Sequence, residues 1–146
     1  MRKVLWATLL VLLLLSALAV NAQSPNYDVG QVWRVTYYHI KAGQGEAFWK
    51  DFRENLKPVY ESLKKEGLIS DYKVWTNVTT DGPADWDVAV GLMVTNYAAI
   101  DQLDARASTV VAKHYGSRDA MLEAGRKRNE LREVVASKLA REVIPR

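Results

Sequence analysis

No cysteine occurs among the 146 residues, and histidine occurs only at His39 and His114. The missing cysteines exclude a disulfide framework and a lipoprotein anchor, which needs a thiol to carry the lipid, so packing alone must stabilise the fold. Together the two scarcities argue against a dedicated zinc or haem site, and the expected complement of cofactors and metals is none. Gly-x-Ser-x-Gly, a phosphate-binding loop, His-Glu-x-x-His and the dinucleotide-binding glycine fingerprint are all missing as well. Strong charge of one sign is also lacking. The formal +3 includes Arg2 and Lys3, and without that pair 18 basic residues face 17 acidic ones. A domain so balanced has no global electrostatic reason to bind nucleic acid or an anionic membrane. The cluster Arg126-Lys127-Arg128 with Arg132 reads as the solvated face of a helix.

The one long apolar run is at the start. Arg2 and Lys3 precede residues 4–20, which are almost wholly apolar, and Val20-Asn21-Ala22 supplies small residues at −3 and −1. This is the pattern of a cleaved secretory signal over residues 1–22, followed by a flexible leader over 23–30. The expected location is secreted or periplasmic, with no membrane attachment after cleavage. The remaining 124 residues suffice for one domain with a real core.

That domain, 31–146, is organised around residues 31–75. A strand-like run, 31–40, alternates so that Trp33, Val35, Tyr37 and His39 share one face while Val32, Arg34, Thr36, Tyr38 and Ile40 share the other. Bulk on both faces suits a central strand. After Gly43-Gln44-Gly45, a helix is predicted from Phe48, Phe52, Leu56, Val59 and Leu63, a single apolar stripe. Pro58 removes a backbone donor inside that pattern and should kink it, and Gly67 should end it in a left-handed conformation with Leu68 packed back over the last turn. A second strand is predicted at 68–75.

Residues 77–85 form a loop marked by Asp81-Gly82-Pro83, with a formal glycosylation sequon at Asn77-Val78-Thr79. The third strand, 86–95, puts Trp86, Val88, Val90, Leu92 and Val94 on a bulky face and Ala89, Gly91 and Met93 on the other. The bulky face should meet the helices, and the small residues should leave room for a partner or a ligand. Asn96 caps a second helix with Ile100, Leu103, Ala107, Val110 and Val111 inward; His114-Tyr115-Gly116 ends it and Ser117 starts another. For residues 131–144 periodicity favours a helix. A βαββαβ domain needs a fourth strand there, beside the first, and topology decides for strand.

The run Tyr38-His39-Ile40-Lys41-Ala42-Gly43-Gln44-Gly45-Glu46-Ala47-Phe48, with Leu56-Lys57-Pro58-Val59 and Glu66-Gly67-Leu68-Ile69-Ser70-Asp71-Tyr72, resembles the dimeric α/β-barrel superfamily. Its NIPSNAP-like and antibiotic-biosynthesis-monooxygenase-like domains are the nearest in pattern. The resemblance implies an α+β, ferredoxin-like βαββαβ subunit. Its antiparallel four-stranded sheet carries helices on one face and pairs with a twin through the other. It also implies a pocket between sheet and helices in many members, whose activities range from cofactor-free oxygenases, isomerases and haem-handling enzymes to proteins with no known chemistry.

Within that frame His39 and Tyr37, on one strand face, form the candidate acid–base pair. Arg34, Tyr72 and Asp87 are candidate substrate contacts. Arg34, mid-strand, requires a counter-charge or a bound anion, and an ion pair at a dimer interface is the plainer expectation. His114 at a helix C-terminus serves the helix dipole. Two function classes stay open. One is a small exported enzyme acting on a small hydrophobic or aromatic molecule; the other is a non-catalytic binding or structural protein on the same scaffold.

Overall fold

The computed structural model describes residues 26–79 and 81–146, so the expected signal segment lies outside the described residues. In chain order come β1 (Tyr27–Ile40), α1 (Gly45–Asp51), a π-helical turn (Phe52–Leu56), α2 (Lys57–Lys65) and β2 (Asp71–Thr76). They are followed by β3 (Val88–Val94), α3 (Tyr97–Tyr115), α4 (Arg118–Leu131) and β4 (Arg132–Pro145). The chain divides into a large unit, Val29–Ile144, and a small one whose described residues are 26–28 and 145–146. In the small unit the Arg146 N–H donates to the Asn26 carbonyl at 3.1 Å and its guanidinium donates to Asp28 Oδ1 at 2.6 Å. The large unit carries the fold.

The helical stripe is present as read: Phe48, Phe52, Leu56, Val59 and Leu63 are all buried. Pro58 acts differently from a simple kink. A proline ring collides with the carbonyl four residues back, and here the helix widens into the π turn just before it, with the Lys57 N–H reaching the Phe52 carbonyl. Helix continuity survives, and Pro58 opens α2 at a position that needs no donor. Gly67 then takes φ 68°, the Leu68 N–H bonds to the Leu63 carbonyl at 2.9 Å, and Leu68 buries against the turn it closes. Leu68 and Ile69 are therefore core residues of a helix stop, and β2 begins only at Asp71, three residues later than the apolar run suggested.

The sheet order is β2-β3-β1-β4. β1 and β3 run antiparallel with Val32 opposite Val94 and Tyr38 opposite Val88, and β2 runs antiparallel to β3 with Tyr72 opposite Leu92. This register gathers Val32, Tyr38, Val88, Val90 and Val94 on one face, where they meet the helix stripe and Leu103 and Val110 of α3 in a single core. Among the described residues the helices cover that face only. Asn96 caps α3 by accepting from the Ala99 N–H, and Ser117 caps α4 by accepting from the Ala120 N–H, both as their side chains suggest.

The tail is a strand, so topology outweighs periodicity there. β4 flanks β1, with the Lys41 N–H bonded to the Leu131 carbonyl at 3.0 Å. Pairing at the far end corrects the expected leader: Gly30 lies so close to Glu142 that an added Cβ would sit 2.8 Å from its carboxylate, and β1 already starts at Tyr27. Among the described residues no helix is long and apolar enough to cross a membrane.

Candidate active-site cleft

The loop between β2 and β3 is organised by one carboxylate. Asp85 Oδ2 accepts from Asn77 Nδ2 at 2.8 Å and from the Asp81 N–H at 3.1 Å, while Oδ1 accepts from the Trp86 N–H at 2.8 Å. The hydrogen bonds from the backbone N–H groups of Asp81 and Trp86, aided by Asn77, hold the Asp85 carboxyl below its usual range. Asn77 Nδ2 also donates to the Trp86 carbonyl, so the nitrogen a glycan would need is engaged within the loop.

This loop sets the environment of His39. Its Nδ1 lies 3.2 Å from the Asp85 carbonyl oxygen and 3.0 Å from Asp87 Oδ2. Both neighbours are acceptors, and a carbonyl can be nothing else, so Nδ1 carries the proton and the neutral ring keeps its lone pair on Nε2. Asp87 is itself anchored, because Oδ2 accepts from the Ile40 N–H at 2.6 Å and its backbone N–H donates to the Tyr38 carbonyl at 2.8 Å. His39 stays 37% exposed and lines a cleft of about 550 Å³ with Lys41, Pro83, Glu133, Val134 and Val135. The Lys41 ammonium donates to the Asn129 carbonyl at 2.8 Å and stands 3.9 Å from Glu133 Oε1. An oriented imidazole, a lysine and a carboxylate thus meet at the rim of the sheet, beside an apolar wall.

Protonating Asp85 removes the charge, and with it part of the acceptor capacity, that three donors use. A group whose native pKa is depressed stabilises the fold above its unfolded value and loses that contribution as pH falls through the native one. The melting temperature should therefore drop on acidification below about pH 4, and that part of the drop should be missing in Asp85→Asn. Superimposable acid profiles for the two proteins in calorimetry would show that Asp85 does not order this loop.

The other candidates scatter. Tyr37 shares the face of His39, yet its ring stacks edge-on against Trp86 with centroids 5.4 Å apart, Lys138 Nζ lies 5.7 Å from its centroid, and it does not line the cleft. Trp86 is thereby turned away from the helix-facing side that strand alternation suggested. Tyr72 lies on the opposite, helix-facing side of the sheet, where its hydroxyl donates to Glu61 Oε1 at 2.7 Å. Burial, with the Glu61 carboxylate, pushes its pKa up to about 12. Arg34 is on that side too, and its counter-charge is within the chain: Nη1 donates to Asp104 Oδ1 of α3 at 2.6 Å. The expected interface ion pair is thus an internal one. The room expected above Gly91 is occupied as well. Trp33 and Trp75 meet edge-on at 6.1 Å, and a Cβ on Gly91 would lie 2.8 Å from the Trp75 ring and 3.0 Å from that of Trp33.

A second polar cluster, unforeseen from sequence, lies on the helix side of the sheet. Arg128 and Arg132 are not a solvated face. Arg128 Nη2 donates to the Tyr115 hydroxyl, and its Nε stands 3.2 Å from Asp51 Oδ2, near enough for an ion pair but not aligned as a hydrogen bond. Arg132 places its guanidinium 3.8 Å from the centre of the Tyr38 ring. Glu133 and Arg132 could have been found by carrying the strand reading of the tail one step further, since antiparallel pairing sets the start of β4 beside the end of β1.

No protein-family model matches the chain, and no curated protein does. Solved structures do match. An ethyl tert-butyl ether D (EthD) family protein from Bacillus halodurans is similar at 16% identity with a TM-score of 0.51, over 77% of this chain and 98% of that one. HapK from Hahella chejuensis is similar at 12% identity and a TM-score of 0.48, over 76% and 91% of the two chains. A dimeric ferredoxin-like protein from an uncultured marine organism is similar at 13% identity and 0.48, over 80% and 96%. At such identities the likeness is one of fold, and it agrees with the strand order and helix placement above: the chain has the ferredoxin-like α+β fold that its resemblance to the dimeric α/β-barrel superfamily implied.

Proposed function

We propose that the protein is an exported homodimer whose His39 cleft performs general acid–base chemistry, without a cofactor, on a small hydrophobic or aromatic molecule. The observation that carries this reading is the pair of acceptors at His39 Nδ1, which leaves Nε2 as the basic nitrogen of a ring that lines the cleft. Nε2 takes a proton from an acidic carbon or a phenol, Asp87 stabilises the imidazolium that forms, and Lys41 lies where it can offset the charge left on the substrate. Returning the proton to another atom of the same molecule is an isomerisation; an oxygenase would let the carbanion react with dioxygen as its second substrate. Native mass spectrometry of protein purified from its source, with and without His39→Ala, tests this. A small molecule retained by the wild type, or turned over by it, should be lost in the variant.

The alternative, a non-catalytic binding or structural protein, draws on the closure of Trp33 and Trp75 over Gly91 and on the engagement of Tyr37 by Trp86. It predicts a ligand, if one is carried, that His39→Ala does not release.

The homodimer is argued from the uncovered sheet face. Trp33, Val35, Tyr37, Trp75 and Met93 stand on the side that none of the described helices covers, and on the edge strand β4 Val134, Val135, Leu139 and Val143 are exposed, Leu139 to 52%. Apolar surface of that extent is a liability in a monomer. Met93→Asp should put an uncompensated carboxylate into the interface and give monomers, or unfolded chain, in sedimentation at micromolar concentration. A wild-type protein that sediments as a monomer there would contradict the dimer.

A further inference from the structure

The cluster around Arg132 has an imbalance that the His39 cleft does not use. Two guanidiniums, Arg128 and Arg132, and one carboxylate, Asp51, lie within electrostatic reach of Tyr115, and that carboxylate is committed: Oδ2 pairs with Arg128 and Oδ1 accepts from Asn55 Nδ2 at 2.8 Å. Among the described residues the contacts of the Arg132 guanidinium are with aromatic rings, 3.8 Å from the Tyr38 centroid and 5.7 Å from that of Phe48. A ring beneath a guanidinium stabilises its flat face. The N–H groups point outward in the guanidinium plane and still need acceptors, yet Nη1 is buried with no hydrogen-bond partner among the described residues.

The geometry points to a binding site for a single negative charge at Arg132 Nη1, flanked by Tyr38, Tyr60 and Tyr115: a carboxylate or a halide, held between the sheet and the first helix. A monoanion neutralises the surplus positive charge of the cluster, whereas a dianion would reverse it. Tyr60 adds a donor. Its hydroxyl is raised well above the usual tyrosine range by burial and by neighbouring Tyr38, although both arginines pull the other way, so it stays protonated at every working pH. The π-helical turn beginning at Phe52 widens the backbone directly after Asp51, a distortion that recurs at functional sites. The charge can belong to a small free ion or to the acid group of a larger ligand, and the two are separable.

Crystals of the full chain grown in sodium bromide should show an anomalous peak within hydrogen-bonding distance of Arg132 Nη1. Titration calorimetry at constant ionic strength should show saturable binding of formate and phenylacetate. Equal affinities would mean a free-ion site; clearly tighter phenylacetate would mean an acid-group site. Arg132→Gln should weaken both about ten- to hundredfold, while His39→Ala leaves them unchanged. Bromide found only elsewhere, or binding indifferent to Arg132→Gln, overturns the proposal. The bromide experiment uses the wild-type chain, so it decides the matter even if the variant does not fold. Loss of anion binding in His39→Ala would assign the anion to the other cleft.

Discussion

Phe48→Ala is expected to remove about 3–5 kcal/mol from the free energy of unfolding. Phe48 is 1% exposed and sits in the first turns of the helix stripe, its ring edge-on to Trp49 at 5.1 Å and beside Phe52 at 6.3 Å. The substitution removes a whole ring from the junction of helix and sheet. Refilling that space would require α1 to move inward, and the π turn that follows it fixes its exit. Domains of this size have about 5–15 kcal/mol in all, so the variant should be on the edge of folding at body temperature. Denaturant unfolding at one fixed protein concentration, which holds constant any association linked to folding, reads the difference. A cost below about 1.5 kcal/mol would mean that the core is not centred on Phe48.

If the proposed acid–base chemistry holds, His39→Ala should lower turnover about 10²–10⁴-fold and leave the melting temperature nearly unchanged. The asymmetry follows from position. His39 is more than a third exposed, so little packing is lost, and its partners Asp85 and Asp87 keep their backbone hydrogen bonds without it. Asp87→Asn should fall between wild type and His39→Ala, because an amide oxygen can still accept from the Ile40 N–H but no longer stabilises an imidazolium. A variant that loses stability while keeping turnover or ligand would make His39 a structural residue.

What the sequence discloses here follows from local rules. The stripe from Phe48 to Leu63, the stop at Gly67 and the caps Asn96 and Ser117 are each determined within a few residues, and each is where its side chains indicate. Alternation correctly sorted the two faces of β1, which brought His39 into view. The errors concern what lies across a strand or across the core. Tyr72 is a candidate contact by sequence, yet the register of β2 against β3 puts it on the side opposite His39. Arg34 and Asp104 are 70 residues apart, and nothing local announces their pairing. Gly91 signals space, but filling that space depends on two tryptophans from the flanking strands. Arg128 and Arg132 read as solvated because charge on a helix end usually is; here aromatic rings and Asp51 draw them inward. For the tail, the need of a sheet for its fourth strand told more than the periodicity of the segment.

The central claim is that the Asp85 carbonyl, with the Asp87 carboxylate beside it, holds the His39 proton on Nδ1 and leaves Nε2 as the base. Nitrogen-15 chemical shifts of the histidine rings, recorded on the wild-type protein at a pH where His39 is neutral, report the tautomer directly. The account predicts a protonated Nδ1 and a bare Nε2 for His39. A His39 ring protonated on Nε2 would contradict it.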